Sequence, residues 1–185
     1  MHAVESGVLD SSPIEQERMH PMKELDGKVA LVTGAGRGIG RGIARGLAAE
    51  GASLVLAARS EPELREAAAE MSTAGSQVLT VRTDVTDEAQ VRKLFADAMT
   101  RFGRLDVLVN NAGAFDGGPL EQLSLEAWNK VIATNLTGPF LCTREALRIM
   151  KPQGVGRIIN IGSISAQRVR PRSAPYSASK HGLWG

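Results

Sequence analysis

The feature that most constrains this chain is a regular alternation that begins at Lys28. Short, unbroken apolar runs are separated by longer stretches whose apolar residues recur at helical spacing. The runs are Val29-Ala30-Leu31-Val32, Ser53 to Ala57, Gln77 to Val81, Asp106 to Val109 and Arg157 to Ile161. An apolar run without alternation suits a strand buried on both faces, which is the environment of a parallel sheet. The intervening stretches carry Ile39, Ile43 and Leu47 beside Ala44 and Ala48, then Leu64, Ala67, Ala68 and Met71, then Val91, Leu94, Phe95, Ala98 and Phe102. Ser124 stands where it can cap a long fourth helix carrying Trp128, Val131, Ile132, Leu136 and Phe140, with Pro139 marking a kink. A last helix is expected from near Tyr176. The pattern predicts an α/β fold, a doubly wound parallel sheet with helices on both faces.

Residues 23–185 read as one domain, long enough for a core of its own. Residues 1–22 have neither period, contain Glu5, Asp10, Glu15 and Glu17, and lack the apolar stretch of a signal peptide, so a flexible extension is expected. Lys and Arg number 22 against 20 Asp and Glu, with no long block of one sign, which gives no basis for a nucleic-acid or anionic-membrane partner. No apolar run approaches the roughly 18 residues of a membrane span. Cys142 is the only cysteine, so an intrachain disulfide is excluded and a reducing, cytoplasmic setting is expected.

Thr33-Gly34-Ala35-Gly36-Arg37-Gly38-Ile39-Gly40 lies between the first strand and the first helix. Glycines there permit positive φ and close backbone approach, and free N–H groups at a helix start attract phosphate. The spacing is T-G-x-x-x-G-x-G rather than G-x-G-x-x-G, because Ile39 occupies the last glycine's place. A dinucleotide pyrophosphate is the expected ligand. The second strand ends Ala57-Ala58-Arg59-Ser60, without a carboxylate for a ribose hydroxyl. Arg59, with Arg37 in the glycine turn, favours the 2′-phosphate of NADP(H), and NAD(H) is the alternative because Glu61 is near.

Tyr176 and Lys180 are four residues apart and share one face of a helix. A phenol ionises near pH ~10, and a neighbouring ammonium favours the phenolate, so such a pair can exchange a proton with a carbonyl or alcohol oxygen. Tyr176 is the chain's only tyrosine and follows the fifth strand, at the edge where open parallel sheets bind ligands. Ser163 ends that strand and can hold the reacting oxygen, with Ser165 in competition. Asn135 is a poor helix former inside an apolar stretch. It serves either as a buried amide at a local kink or as an anchor for water in a proton path.

Together, and in this order, these motifs resemble the short-chain dehydrogenases/reductases, from about Lys23 to Gly185. The resemblance implies a Rossmann-type fold and hydride exchange between a nicotinamide cofactor and a small carbonyl or alcohol. It implies that Thr33 to Gly40 bind the pyrophosphate, that Asp84 and Val85 contact adenine, and that Asn110 to Gly113, with Asn111 and Ala112 between, line the adenosine side. The family's catalytic Asn, Ser, Tyr and Lys fall on Asn135, Ser163, Tyr176 and Lys180, and the thirteen-residue separation of Ser163 from Tyr176 selects Ser163 over Ser165. On that resemblance Tyr176 is the general acid/base, Ser163 orients the substrate oxygen, Lys180 eases ionisation of the phenol and binds the nicotinamide ribose, and Asn135 anchors relay water. Bacterial 3-oxoacyl-carrier-protein reductases are especially similar, and sugar and steroid dehydrogenases share these residues.

Family members continue into a sixth strand, a Pro-Gly loop, a substrate-covering segment and a seventh strand. The chain is therefore expected to be truncated, with its C-terminal strands missing. Homo-oligomers are the family's expectation, which the shortened last helix weakens for this chain. Two other readings compete: a dinucleotide-binding protein without turnover, and a nucleotide-sugar epimerase or dehydratase, which the glycine spacing and Asn-Asn-Ala-Gly oppose. Arg168, Arg170 and Arg172 fall before Tyr176 and either attract an anionic substrate or are simply solvated.

Overall fold

Five consecutive buried residues, Val29–Thr33, form the first strand, β1. Their side chains divide between the two faces of the sheet: Val29 and Leu31 enter one apolar layer, Ala30 and Val32 the other. A strand with cores on both sides has no polar face, which is why its sequence shows no alternation. The computed structural model describes residues 23–185 except residue 74, and the extension expected over 1–22 lies outside the described residues. The remaining strands are β2 (Ser53–Ala58), β3 (Val78–Arg82), β4 (Val107–Asn110) and β5 (Arg157–Asn160). All pair in parallel, in the order β3-β2-β1-β4-β5. Between β1 and β4 the direction of winding reverses, and the crevice beyond the carboxyl ends of these two strands is where an open α/β sheet takes a ligand.

Helices α1 (Gly38–Ala49) and α2 (Glu61–Thr73) cover one face, and α3 (Glu88–Phe102) and α5 (Gly138–Gln153) the other. Not all the apolar residues that recur along α1 face the core. Gly40, Ala44 and Ala48 are buried, Ile43 and Leu47 only flank the core, and Ile39 is 69% exposed. At Gly40 the close contact of α1 with the glycine turn leaves no room for a side chain.

The long fourth helix is likewise not a single kinked rod. Ser124 does cap it, accepting from the Ala127 N–H at 3.1 Å. The helix then divides into α4 (Leu125–Ile132), a π turn over Ala133–Thr137, and α5. The irregularity is centred on Asn135, and Pro139 lies in the first turn of α5. There Pro139 supplies no N–H to the Asn135 carbonyl at the α-helical position, and the Gly138 N–H instead reaches the Ala133 carbonyl. The last helix, α6 (Ala174–Trp184), begins two residues before Tyr176. Among the described residues no helix is long and apolar enough to cross a membrane.

Asp106, just before β4, ties the amino ends of β1 and β4 together. It accepts from the Val29 N–H at 2.9 Å and takes both arms of Arg104 at 2.8 and 2.6 Å. Burial pushes its carboxyl up, but the Arg104 and Val29 hydrogen bonds and the Arg104 and Lys28 charges prevail, and it titrates below the ordinary range. A carboxylate lowered in the folded state contributes stability above the ordinary value of about 3.9, which disappears as pH falls through the depressed folded value. Asp106→Asn is expected to cost about 2 kcal/mol at neutral pH and less at pH ~3, part of the way down toward the depressed folded value. Denaturant titrations at both pH values check this, and a deficit independent of pH would contradict it.

Candidate active site

The glycine turn is shaped by contacts that exclude side chains. Gly34 has φ +66°, and a Cβ on it would stand 2.9 Å from both the Ala112 Cα and the Asn111 side-chain nitrogen. On Gly40, in the first turn of α1, a Cβ would lie 2.2 Å from the Gly34 carbonyl oxygen. At Gly38, φ is +56° and nothing lies within 4 Å, so the turn faces open space. Arg37 caps α1 without a side-chain hydrogen bond, and the first turn holds no acidic residue. Uncapped N–H groups and the positive end of the helix dipole thus meet an open hollow, the arrangement that binds an anion.

A cleft of about 470 Å³ opens at this point. Gly34, Gly36, Arg37, Gly38, Ile39 and Gly40 line one side, Ala58, Arg59, Ser60 and Glu63 the second, and Asp84, Val85, Asn111, Ala112 and Gly113 the third. Nearly all the residues expected to hold a dinucleotide are therefore brought together. Tyr176 and Lys180, also expected at the cofactor, are not in the lining, and neither is Thr33. It is buried beneath the turn, where its hydroxyl accepts from the Asn111 and Ala112 N–H groups at 3.0 Å each. The Asn111 amide returns a hydrogen bond to the Thr33 carbonyl at 2.9 Å. Thr33 latches β1 to β4 and so shapes the crevice without lining it.

The residues present fit a nicotinamide dinucleotide. Arg37 and Arg59 are in the lining, and no carboxylate follows β2 before Glu61. Asp84 commits one carboxylate oxygen to the Thr86 N–H and hydroxyl, at 3.0 and 2.8 Å, which stiffens the turn after β3. Sequence reading overlooked Glu63 and Thr134. Glu63 lines the cleft 3.9 Å from the Arg37 guanidinium. Its place depends on how α2 packs against the glycine turn, for which no local signal exists.

The four residues expected to catalyse lie outside the cleft's lining, around α6 and the end of β5. Lys180 is only 7% exposed, and its ammonium donates to the Ile161 carbonyl at 2.7 Å and stands 5.8 Å from the Tyr176 ring centroid. Burial pushes that ammonium below the ordinary lysine range. Ser163 accepts from the Ser165 N–H at 3.1 Å, leaving its own hydrogen to donate, whereas Ser165 is buried. Ser163 is half-buried and so the more accessible of the two hydroxyls.

The Asn135 side chain is a buried amide at a local irregularity. Its oxygen accepts from the Ala114 N–H at 2.7 Å, and its nitrogen donates to the Ala114 carbonyl at 2.9 Å and to the Ser179 hydroxyl at 3.1 Å. Its amide is thus fully engaged within the protein. Ser179 was not anticipated, and the available signal was a hydroxyl inside a helix, one residue before the lysine. Cys142 offers no competing nucleophile: burial, reinforced by the Glu145 charge, pushes its thiol up to about 12.

Comparison with known proteins agrees with this geometry. The family model described as short chain dehydrogenase matches residues 28–185. The chain is 42% identical over 165 residues to the 3-oxoacyl-[acyl-carrier-protein] reductase of Synechocystis, covering 89% of this chain and 67% of that enzyme. It is 40% identical over 165 residues to the 3beta-hydroxysteroid dehydrogenase of Mediterraneibacter gnavus, covering 89% of this chain and 59% of that enzyme. A crystal structure of an actinorhodin polyketide ketoreductase variant with NADPH superimposes with a TM-score of 0.82 at 44% identity, over 84% of this chain and 60% of the other. The chain thus spans about six-tenths to two-thirds of the length of these relatives. With the parallel sheet, the glycine turn and the match over residues 28–185, the chain belongs to the short-chain dehydrogenase/reductase family of oxidoreductases.

Proposed function

We propose that the protein binds NADP(H) in the cleft at the glycine turn and interconverts a small carbonyl compound and its alcohol, with Tyr176 as general acid and base. The observation that carries this reading is the pairing on α6. Tyr176 stands one turn from a buried Lys180 whose ammonium is held 5.8 Å from the tyrosine ring, next to the end of β5.

A bound nicotinamide supplies or accepts the hydride; the rest is done by side chains already in place. The N–H groups at the start of α1 and the open turn at Gly38 hold the pyrophosphate, and Arg37 and Arg59 neutralise the additional phosphate. Asp84, Val85 and Asn111 to Gly113 form the wall for the adenosine. Ser163 donates its free hydroxyl hydrogen to the substrate oxygen and holds it toward Tyr176. The Tyr176 phenol gives its proton to that oxygen during reduction and takes one back during oxidation. Lys180 has three donors and spends one on the Ile161 carbonyl, so two remain for a ribose hydroxyl and for the phenol side. Asn135 acts through its backbone and through the segment its amide holds.

Titration with NADPH and NADH, followed by nicotinamide fluorescence, tests the cofactor assignment. NADPH is expected to bind at least about tenfold more tightly, and Arg59→Asp to weaken NADPH by about 10- to 100-fold while moving NADH by less than about threefold. Equal affinities, or equal losses, would remove the NADP(H) preference. A carbonyl screen on the same protein separates an enzyme from a dinucleotide-binding protein without turnover. The presence together of Asn135, Ser163, Tyr176 and Lys180 argues against that second reading.

A further inference from the structure

The Asn135 amide, the Ala114 backbone, the Ser179 hydroxyl and the Tyr176 carbonyl form one continuous, buried polar chain. Ala114 offers Asn135 both its N–H and its carbonyl, so the amide has only one consistent orientation, with its nitrogen toward Ser179. The Ser179 oxygen accepts that N–H and has a single hydrogen to give, which goes to the Tyr176 carbonyl at 2.7 Å. Every donor in the chain has an acceptor. Both Ser179 and Asn135 are fully enclosed, at 0% and 1% exposure, so water offers no substitute.

The chain closes on itself through an aromatic contact. The residue after Ala114 is Phe115, whose ring meets the Tyr176 ring edge-on, with centroids 5.4 Å apart and planes at 61°. Asn135 therefore holds the segment that flanks the tyrosine ring, and Ser179 joins the same amide to the backbone that carries the tyrosine. The neighbouring apolar contact lacks this directionality. A Cβ on Gly182 would stand 3.1 Å from a Leu136 methyl, which shows that α6 lies close against the π turn, yet such packing tolerates small rotations of the helix. A hydrogen bond fixes direction as well as distance.

We infer that Ser179 is a positioning residue for the Tyr176 phenol, linking the backbone beneath Tyr176 to the Asn135 amide and, through it, to the Ala114–Phe115 segment beside the tyrosine ring. This rests on the reading of Tyr176 as the general acid and base. Ser179 itself touches neither substrate nor cofactor. It fixes the rotation of α6 and the angle at which the phenol meets the oxygen held by Ser163.

The test compares Ser179→Ala and Ser179→Thr with the natural protein. Because Tyr176 is the only tyrosine, labelling with fluorotyrosine gives one fluorine resonance that reports the ring's surroundings. Ser179→Ala is expected to lower kcat about tenfold while KM and the NADPH Kd stay within about twofold, because a small misplacement of a reacting group costs rate rather than binding. The fluorine resonance is expected to move, and Ser179→Thr, which keeps the hydroxyl, to restore both rate and resonance. A Ser179→Ala protein with unchanged kcat and resonance overturns the proposal, as does a rate loss matched by equal weakening of NADPH. Failure of the threonine variant to restore either signal overturns it too, since the hydroxyl would not then be the operative group. If the natural protein reduces no carbonyl, the catalytic reading of Tyr176 falls, and the resonance alone decides whether Ser179 positions the ring.

Discussion

Tyr176→Phe is expected to lower kcat by about 10³-fold, with the NADPH Kd held within about twofold. The substitution removes one oxygen and keeps the ring. The edge-on contact with Phe115 at 5.4 Å survives, as does the backbone bond from Ser179 to the Tyr176 carbonyl, so α6 keeps its seat. What is lost is the proton that goes to the substrate oxygen, and positioned acid–base groups contribute ~10²- to 10⁴-fold. Single-turnover oxidation of NADPH in the presence of an accepted ketone measures this directly. Retention of more than about a tenth of the natural rate would remove Tyr176 from the chemistry and leave the protein as a binder of dinucleotides.

The second large effect is expected at Gly40. A methyl on this residue would stand 2.2 Å from the Gly34 carbonyl oxygen and 2.4 Å from the Asn111 side-chain nitrogen. Neither obstacle is the free end of a flexible side chain, because the first is backbone and the second is bonded to the Thr33 and Gly34 carbonyls at 2.9 and 3.2 Å. Relief requires α1 to back away from β1 or the turn to unlatch from β4. Gly40→Ala is therefore expected to cost about 3 kcal/mol or more, lowering Tm by about 6 to 12 °C. NADPH binding should be lost with it, because the moved groups form the phosphate hollow. The contrast lies two residues along the same helix. Gly42 is exposed and a Cβ there meets nothing within 4 Å, so Gly42→Ala gains about 0.5 to 1 kcal/mol from helix propensity alone. Equal effects at Gly40 and Gly42 would mean that close approach is not why glycine stands at residue 40.

The two halves of the site differ in how plainly they are written in the chain. The dinucleotide side is almost local: Gly34 to Gly40, Arg59, Asp84 with Val85, and Asn111 to Gly113 each follow directly on a strand end, and each strand is an unbroken apolar run. Once the strands are parallel and paired in the order β3-β2-β1-β4-β5, those ends converge without further information. Ile39, expected at the cofactor, is exposed and lines the cleft, although its helical spacing alone would equally suit a core position. Thr33 belongs to the motif and stands beside the ligand crevice, yet its hydroxyl is spent on holding β4.

The catalytic side depends on where whole elements lie. Tyr176 and Lys180 are recognisable by their spacing on one helix. The surroundings of Asn135 depend on a helix that switches to π geometry beside Pro139 and on the Ala114 and Ser179 groups its amide meets, none of which helix propensity records. Ile159, read as part of a strand buried on both faces, is 41% exposed because β5 is the edge of the sheet among the described residues.

By itself, then, the sequence determined the class of fold, the order of strands and helices along the chain, the glycine turn after β1 and the Tyr-Lys pair, because each is set by residues close together along the chain. Only the tertiary structure decided that Gly40 must be glycine, that Glu63 faces Arg37, and that Asn135 and Ser179 join the turn after β4 to the helix bearing Tyr176. Those outcomes depend on backbones and side chains from distant segments meeting at hydrogen-bonding or van der Waals distance, and no pattern of spacing along one segment records where another segment comes to rest.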